Sequence, residues 1–514
     1  MVRMITFRHL IVTSILSTLL SNVHSKPLSI TAYSKEIKTA KEYLNNDKSK
    51  EALAILLPVA KTTNSADTEI LVAQSYAGLD QTEMALKYYQ LALKSAKNSE
   101  EKRVAHFGIA KSHMALSNYV RAKNTYLIIL QEPLSQEDYQ LALAGLVKSL
   151  DYLEQPRIAY RTIPCGIEYH SQDLVVASAQ ASLDAGWYDI TQNVLTNNAA
   201  IIQKIKPNSA IDRDLQNVLW QTRLATNPNN LTPSFYYSSD SESFIIRHAT
   251  LDYRHYWNYT FQTHLGTDYI VYTQSNKLIA KGFYIQQDWN PTRNFAASVN
   301  LEPIAYSHWH PLLWEANLNF TPNDYINVKA IALREIVETF PAFYQRISDN
   351  QFSLGLRLNP IPYFAIDSSV TRLNFSDNNF RNGYYISGIV QIFNDLGLAG
   401  FATQRGFTDK FQAPEYFSPN QYVERKAGLT LARNLWVTWK YFLNIAIGRQ
   451  YITQNPGDPT ASSPTRQWGL GIRGPISKHF VFSADYENLL QASSFRNSAD
   501  YKYQYANVSL DILL

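Results

Sequence analysis

A single cysteine, Cys165, occurs in 514 residues. That excludes a disulfide framework and any cysteine-based zinc or iron–sulfur site within one chain. Charge is sparse too, at 18% of residues, and 47 basic against 43 acidic side chains leave a net charge of only +4. Nucleic acid is therefore not an expected partner on electrostatic grounds. Mean hydropathy is −0.26, too low for a polytopic helical membrane protein. Also missing are a His-Glu-x-x-His helix, a Gly-x-Ser-x-Gly elbow and a phosphate loop ending in Lys-Ser or Lys-Thr. No enzyme, metal or cofactor is expected from the motifs. What is present is a 45% hydrophobic share, which excludes wholesale disorder. The length makes two domains the default, and 34 Tyr, 23 Phe and 9 Trp need a location.

The first residues read as an address. Arg3 and Arg8 precede the apolar run Leu10–Leu20, and Val23, His24 and Ser25 follow. Basic start, short apolar stretch and small residues make a secretory signal peptide, with cleavage expected after Ser25. No cysteine lies there to carry a lipid anchor.

Residues 27–225 carry a helical repeat. Tyr43 and Tyr76, Ala40 and Ala73, and Ala52 and Ala85 are each 33 apart, while Ala85 and Ala122, and Tyr89 and Tyr126, are each 37 apart. Small residues at such positions let paired helices approach, and an aromatic fills the remaining gap. The clearest copy is Ala73, Tyr76, Gly78, Ala85, Tyr89 and Ala92; the next has Gly108, Ala110, Ala122 and Tyr126. Weaker copies run through Ala142–Ala159 and Val176–Val194. The pattern resembles tetratricopeptide repeats, whose stacking builds a concave surface that binds protein segments. No catalytic constellation falls here.

Asn227-Pro228-Asn229-Asn230-Leu231-Thr232-Pro233 cannot continue a helix, so residues 226–235 are expected to be a linker. Beyond it the period becomes two. Phe352, Leu354, Leu356 and Leu358 alternate with Gln351, Ser353, Gly355 and Arg357. Val437 to Ile447 and Phe480 to Tyr486 alternate in the same way. Turn pairs such as Asn290-Pro291 and Asp377-Asn378 recur roughly every 15 to 20 residues, which for residues 236–514 predicts about 14 to 16 strands of a closed transmembrane barrel. Seven of the nine tryptophans lie in this half. Trp289 and Trp309 stand beside turns, where interfacial girdles belong. The alternating Val508–Ile512 suits a closing strand. The fold class is thus an α-solenoid followed by a 14–16-stranded antiparallel β-barrel in a bacterial outer membrane, with the repeats in the periplasm.

Lys329, Arg334, Arg357, Asp367, Lys440, Asp485 and Glu487 fall on or near the polar phase. A charge at the hydrocarbon midplane costs about 2 to 4 kcal/mol, so these are the expected pore-lining residues. The two signs nearly balance across the domain, which favours neutral or weakly charged cargo over a polyanion. Gly469-Leu470-Gly471-Ile472-Arg473-Gly474 matches the dinucleotide fingerprint, but Pro475 and a strand-like run follow in place of a helix, so it reads as turn chemistry. His308-Trp309-His310, with Glu315 nearby, reads as an interfacial loop rather than a zinc site.

Repeats followed by a barrel resemble exopolysaccharide export porins of the cellulose and poly-N-acetylglucosamine types. Tyr416-Phe417-Ser418-Pro419-Asn420-Gln421-Tyr422 is similar to a Tyr-Phe-Ser-Pro-x-x-Tyr segment of the cellulose-type barrels. The resemblance implies that periplasmic or inner-membrane proteins dock on the repeats and that a glycan passes through the barrel, pushed by its own synthesis. The layout also resembles surface lipoprotein assembly modulators, which pair a short repeat domain with a 14-stranded barrel and would imply lipoprotein cargo. A barrel enzyme acting on lipid is the minor alternative. Outer-membrane lipid is a partner in every case.

Overall fold

The computed structural model describes residues 33–394, 396–435, 438–498 and 500–514. The expected leader lies outside the described residues, as do Trp436 and Val437. The chain divides into two compact units, residues 1–108 and 109–514.

In the first unit, helices Ser34–Asn45, Ser49–Thr63, Ala66–Ala77 and Thr82–Ser95 pack in sequence order. Ala73, Ala85 and Ala92 are fully buried, with Tyr76 and Tyr89 nearly so. The close approach at Gly108 is specific: a Cβ there would lie 2.3 Å from the Tyr89 ring. In the second unit the same relation recurs 37 residues on, where a Cβ on Gly145 would lie 2.1 Å from the Tyr126 ring. One tyrosine seated on one glycine is thus the repeating contact that sets helix spacing. Gly78 closes its helix as C-cap, its Cα facing the Ser49 hydroxyl. Ala110 and Ala122 are buried in the later helices, which run to Thr226.

The barrel follows almost at once. Its strands are β1 (Asn229–Asp240), β2 (Ile245–Tyr256), β3 (Phe261–Thr273), β4 (Lys277–Thr292), β5 (Phe295–Tyr306), β6 (Leu312–Asn323), β7 (Ile326–Ile336) and β8 (Ser348–Ile361). Then come β9 (Phe364–Phe375), β10 (Phe380–Phe393), β11 (Leu398–Asp409), β12 (Gln421–Leu435), β13 (Trp439–Thr453), β14 (Ala461–Pro475), β15 (Phe480–Leu490) and β16 (Lys502–Leu513). Each pairs antiparallel with its chain neighbours, and β1 pairs with β16, closing the sheet. Closure removes every free edge, the only way a sheet satisfies its backbone in hydrocarbon. The expected linker differs: residues 229–235 already belong to β1, because Pro233 sits on the outward phase of a strand whose alternation has begun. Only Asn227 and Pro228 separate helix from barrel.

The outward phase is apolar and exposed. Phe283, Leu354, Val370, Ile445 and Ile447 present 49, 54, 60, 55 and 66% of their surface. A belt of this kind is held in lipid, not in water. Connections at the two ends differ. Those entering β3, β5, β7, β9 and β11 are short turns on the same end as the helix–barrel joint. The opposite end carries long loops, residues 337–347, 410–420 and 491–501 among them. Trp257 and Trp289 rim the short-turn end, exposed at 63 and 44%. Trp309 departs from the girdle expectation and packs inward on a buried cluster at the long-loop end.

Candidate functional site

Register fixes what lines the lumen. Residues directly opposite on antiparallel strands share a face, and the exposed belt marks the outward one. On that basis Lys329, Arg357, Asp367, Lys440, Asp485 and Glu487 lie on the inward phase. Arg357 Nη1 lies 3.5 Å from Asp367 Oδ2, and Glu487 accepts from Asn444 at 3.0 Å. Arg334 does not line the pore: it pairs with Trp314 and Asn350 on the outward phase, two residues from the long-loop end of β7. The near balance of charge in the sequence also conceals a sorting. Every carboxylate on the strands is on the inward phase, where acids outnumber lysines and arginines, while much of the basic excess sits outside. Asp252, Asp268, Asp288, Glu302 and Glu315 make one wall acidic. Within it His264 bridges Asp252 at 3.0 Å and Asp288 at 3.5 Å. Tyr284 donates to Asp252 at 2.7 Å, its ring occupying the space left by Gly266.

At the long-loop end the lumen is plugged. The loop after β7 turns inward as a short helix, Phe340–Gln345, whose Phe340 and Phe343 pack on Tyr272, Tyr306 and Ile304 from the wall and on Phe244 from the β1–β2 loop. Burial raises the carboxyl of Glu338 above its usual range, opposed by the hydrogen bond that it accepts from Tyr272 at 3.0 Å. Thr339 donates to the carbonyl of Glu415 at 2.5 Å, and the Phe417 amide to that of Phe495 at 2.8 Å, so three loops meet. They surround a cavity of 330 Å³. Three lumen arginines anchor them. Arg381, only 3% exposed, donates to Asp409 at 2.9 Å, to the Phe417 carbonyl at 2.5 Å and to the Ser494 carbonyl. Arg405 pairs with Glu424 and donates to the Ala492 carbonyl at 2.9 Å. Arg496 pairs with Asp240 at 3.0 Å and Glu242 at 2.9 Å and lies 4.0 Å over the Phe244 ring.

The Tyr416–Tyr422 segment belongs to this plug. Tyr416 stacks on Phe375 at 4.6 Å and donates to Asp377 at 3.0 Å. Ser418 Oγ accepts from the Ala413 amide at 2.6 Å, and the Pro419 carbonyl accepts from the Asp409 amide at 3.3 Å. Tyr422 is fully buried against Phe407. The two other sequence motifs also find different places. Gly469–Gly474 is not a turn but the interior of β14. A Cβ on Gly471 would meet the Phe442 ring at 2.1 Å, so glycine admits an aromatic there. His308 lies 3.1 Å from the Phe343 carbonyl, tying its loop to the plug.

At the short-turn end, the helices of residues 109–226 lie across the mouth, held at points around its rim. Asp324 accepts from the amides of Arg157 and Ile158 at 3.1 and 2.8 Å. Arg293 clamps Asp189 with both guanidinium arms. Arg254 donates to the Leu224 carbonyl at 2.5 Å, Lys440 to Gln221 at 2.9 Å, and Asn394 to the Ser117 carbonyl at 3.3 Å. Between helices and rim lie polar cavities of 560 and 590 Å³, both touched by Asp184 and Lys440. Asp151 and Asp184 sit together there, and burial raises both carboxyls, that of Asp151 further through the neighbouring Asp184 charge. A raised carboxyl stabilises the fold while protonated, and that contribution is lost as pH rises through the folded-state value. The helices should therefore melt at lower temperature at pH 7 than near pH 4. Asp151→Asn should shrink the difference, leaving the part that the buried Asp184 contributes, and raise the pH 7 midpoint by about 2–4 °C, the shift expected of roughly 1 kcal/mol. Circular dichroism at 222 nm on the full chain reads this out; an unchanged midpoint would count against the pair.

Sequence reasoning missed Arg381, Arg405 and Arg496 as loop anchors, and Asp151 and Asp184 altogether. The parity of Arg381 and Arg405 within their strands was the available signal for an inward position.

Fold and site together define an outer-membrane β-barrel of sixteen strands with a tetratricopeptide-like helical region. No family model and no curated protein matches the sequence. Among solved structures, a bacterial polysaccharide outer membrane secretin is similar to 56% of this chain and 99% of its own, at 13% identity and TM-score 0.48. CdiB from Acinetobacter baumannii is similar over 55% of this chain and 60% of its own, at 12% identity and TM-score 0.36. MamA is similar over 35% of this chain and 96% of its own, at 11% identity and TM-score 0.27.

Proposed function

We propose that this protein is an export porin that passes a secreted polysaccharide across the outer membrane and performs no chemistry itself. The helical region then faces the periplasm, because short turns mark the periplasmic end of such barrels. It recruits the proteins that make or process the glycan. The observation that carries the reading is the inward face. Tyr236, Tyr284 and Tyr505 offer rings for sugar faces, and Asn, Gln and carboxylates offer partners for hydroxyls along one continuous wall. An acidic lumen disfavours a polyanion by like-charge repulsion and suits a neutral or cationic glycan. The second reading, translocation of surface lipoproteins, is favoured by chain length. The sixteen strands depart from the 14-stranded barrel that this resemblance implies.

Deleting the protein in its native host separates the two. Polysaccharide trapped in the periplasm, with lipoproteins still surface-exposed, is the expected result. Loss of surface lipoproteins with normal extracellular polysaccharide would transfer the assignment to the lipoprotein translocator.

A further inference from the structure

The outward basic residues gather near the long-loop end. Arg247, Lys281 and Arg372 each lie within a few residues of that end of their strands, and Arg425, Arg449 and Arg466 form a cluster on three consecutive strands. On each of those three strands the outward phase changes in the same order toward the long loops. β13 runs Leu443, Ile445, Ile447, Arg449; β12 runs Leu429, Ala427, Arg425; β14 runs Leu470, Trp468, Arg466. The arginines thus mark where the apolar belt ends, at the level of lipid headgroups.

The arrangement is unfavourable without an anion. Arg425 and Arg449 are directly opposite in register, about 5 Å apart at Cβ, and like charges so placed repel. Arg466 is the diagonal neighbour of Arg449, since Arg449 pairs with Pro464. All three side chains are exposed. Arg425 donates one bond to Gln404 at 3.0 Å and Arg449 one to Ser462 at 3.3 Å. Among the described residues no carboxylate pairs with any of the three, because the strand acids all turn inward. Arg425 also lies over the Tyr451 ring at 5.9 Å, and most of the donors, five per guanidinium, have no hydrogen-bond partner among the described residues.

We propose that Arg425, Arg449 and Arg466 form a binding site for the phosphate groups of a phosphorylated lipid in the leaflet at the long-loop end. Planar guanidinium forks match phosphate bidentately. The continuous apolar surface below them, with Ile445, Ile447 and Leu470 exposed, receives the acyl chains. A free phosphate would gain nothing from that apolar surface. The inference rests on the membrane reading of the belt and not on the identity of the cargo.

The test uses the full chain folded in detergent, with lipid retention read by native mass spectrometry. The probes are diphosphoryl lipid A, its dephosphorylated form, and inorganic phosphate as competitor. The expected result is preferential retention of the diphosphoryl lipid, unaffected by millimolar phosphate. It should be weakened about tenfold or more in R425Q/R449Q/R466Q and unchanged in K204Q/K206Q/K478Q, which removes three charges elsewhere. Heat-modifiable migration in gels confirms that each variant is folded; if the triple variant is not, Arg466→Gln alone should still weaken retention. Equal retention by the arginine variant would overturn the proposal, as would equal retention of the dephosphorylated lipid. Displacement by inorganic phosphate would overturn the assignment to a lipid headgroup.

Discussion

Replacing Arg381 by alanine should open the long-loop mouth. In planar bilayers the variant is expected to show frequent large conductance steps where the unaltered protein is mostly closed. The reason is that one buried guanidinium holds Asp409 and two loop carbonyls, those of Phe417 and Ser494, while lying 4.0 Å over the Phe407 ring. Without it the loops lose their shared anchor, and Asp409 is left as a buried charge without its partner. Breaking such a pair costs about 3–5 kcal/mol. The double variant R381L/D409L separates the two effects: it should recover most of the stability, because no lone charge remains, and yet still open, because the carbonyls stay unanchored. Conductance indistinguishable from the unaltered protein in both variants would show that the loops hold themselves.

The second large effect concerns the helical region. Removing residues 27–225 should leave a barrel that folds and migrates heat-modifiably, while export stops. The barrel closes through β1 and β16, from Asn230 opposite Leu513 to Asp240 opposite Tyr503, with no helix in the ladder. The rim contacts broken by the deletion, at Arg254, Arg293, Asp324 and Lys440, are polar groups at a wet edge that water can satisfy. A truncated chain that fails to fold would mean that the helices are part of the barrel's core. A truncated chain that still exports would remove them from the mechanism.

Much of the architecture was legible because periods of two and of 33 to 37 residues are local signals. Phe352 to Leu358 and Phe480 to Tyr486 needed no knowledge of their neighbours to be read as lipid-facing. The failures came where position depends on distant chain. Arg334 was grouped with Lys329, but five residues separate them, and an odd separation on a regular strand puts two side chains on opposite faces. The Tyr416–Tyr422 segment carried no mark of its destination, since its partners Phe375, Arg381 and Phe495 come from other parts of the barrel. Balanced charge across the domain likewise said nothing of the sorting, because parity within each strand, not composition, decides which side of the wall a charge meets. Tyrosine abundance carried no location of its own in the sequence, and Tyr272, Tyr284, Tyr306 and Tyr422 are directed into the lumen or plug.

The two-residue joint between helix and barrel has a kinetic consequence. Helix pairs form from contacts close in sequence and fold early, whereas β1 must wait for β16, which follows it only after the whole circumference of the sheet. Asn230 donates to the Leu224 carbonyl at 3.1 Å, and Arg254 to the same oxygen. Helices that form early therefore grip the first hairpin at its base before the distant partner strand has paired with it. When β16 arrives, the Leu514 amide meets the Asn229 carbonyl at 2.9 Å on an edge already held in place. The helical region would thus speed closure by holding the opening strand where the last one meets it, although the ladder itself closes without any helix.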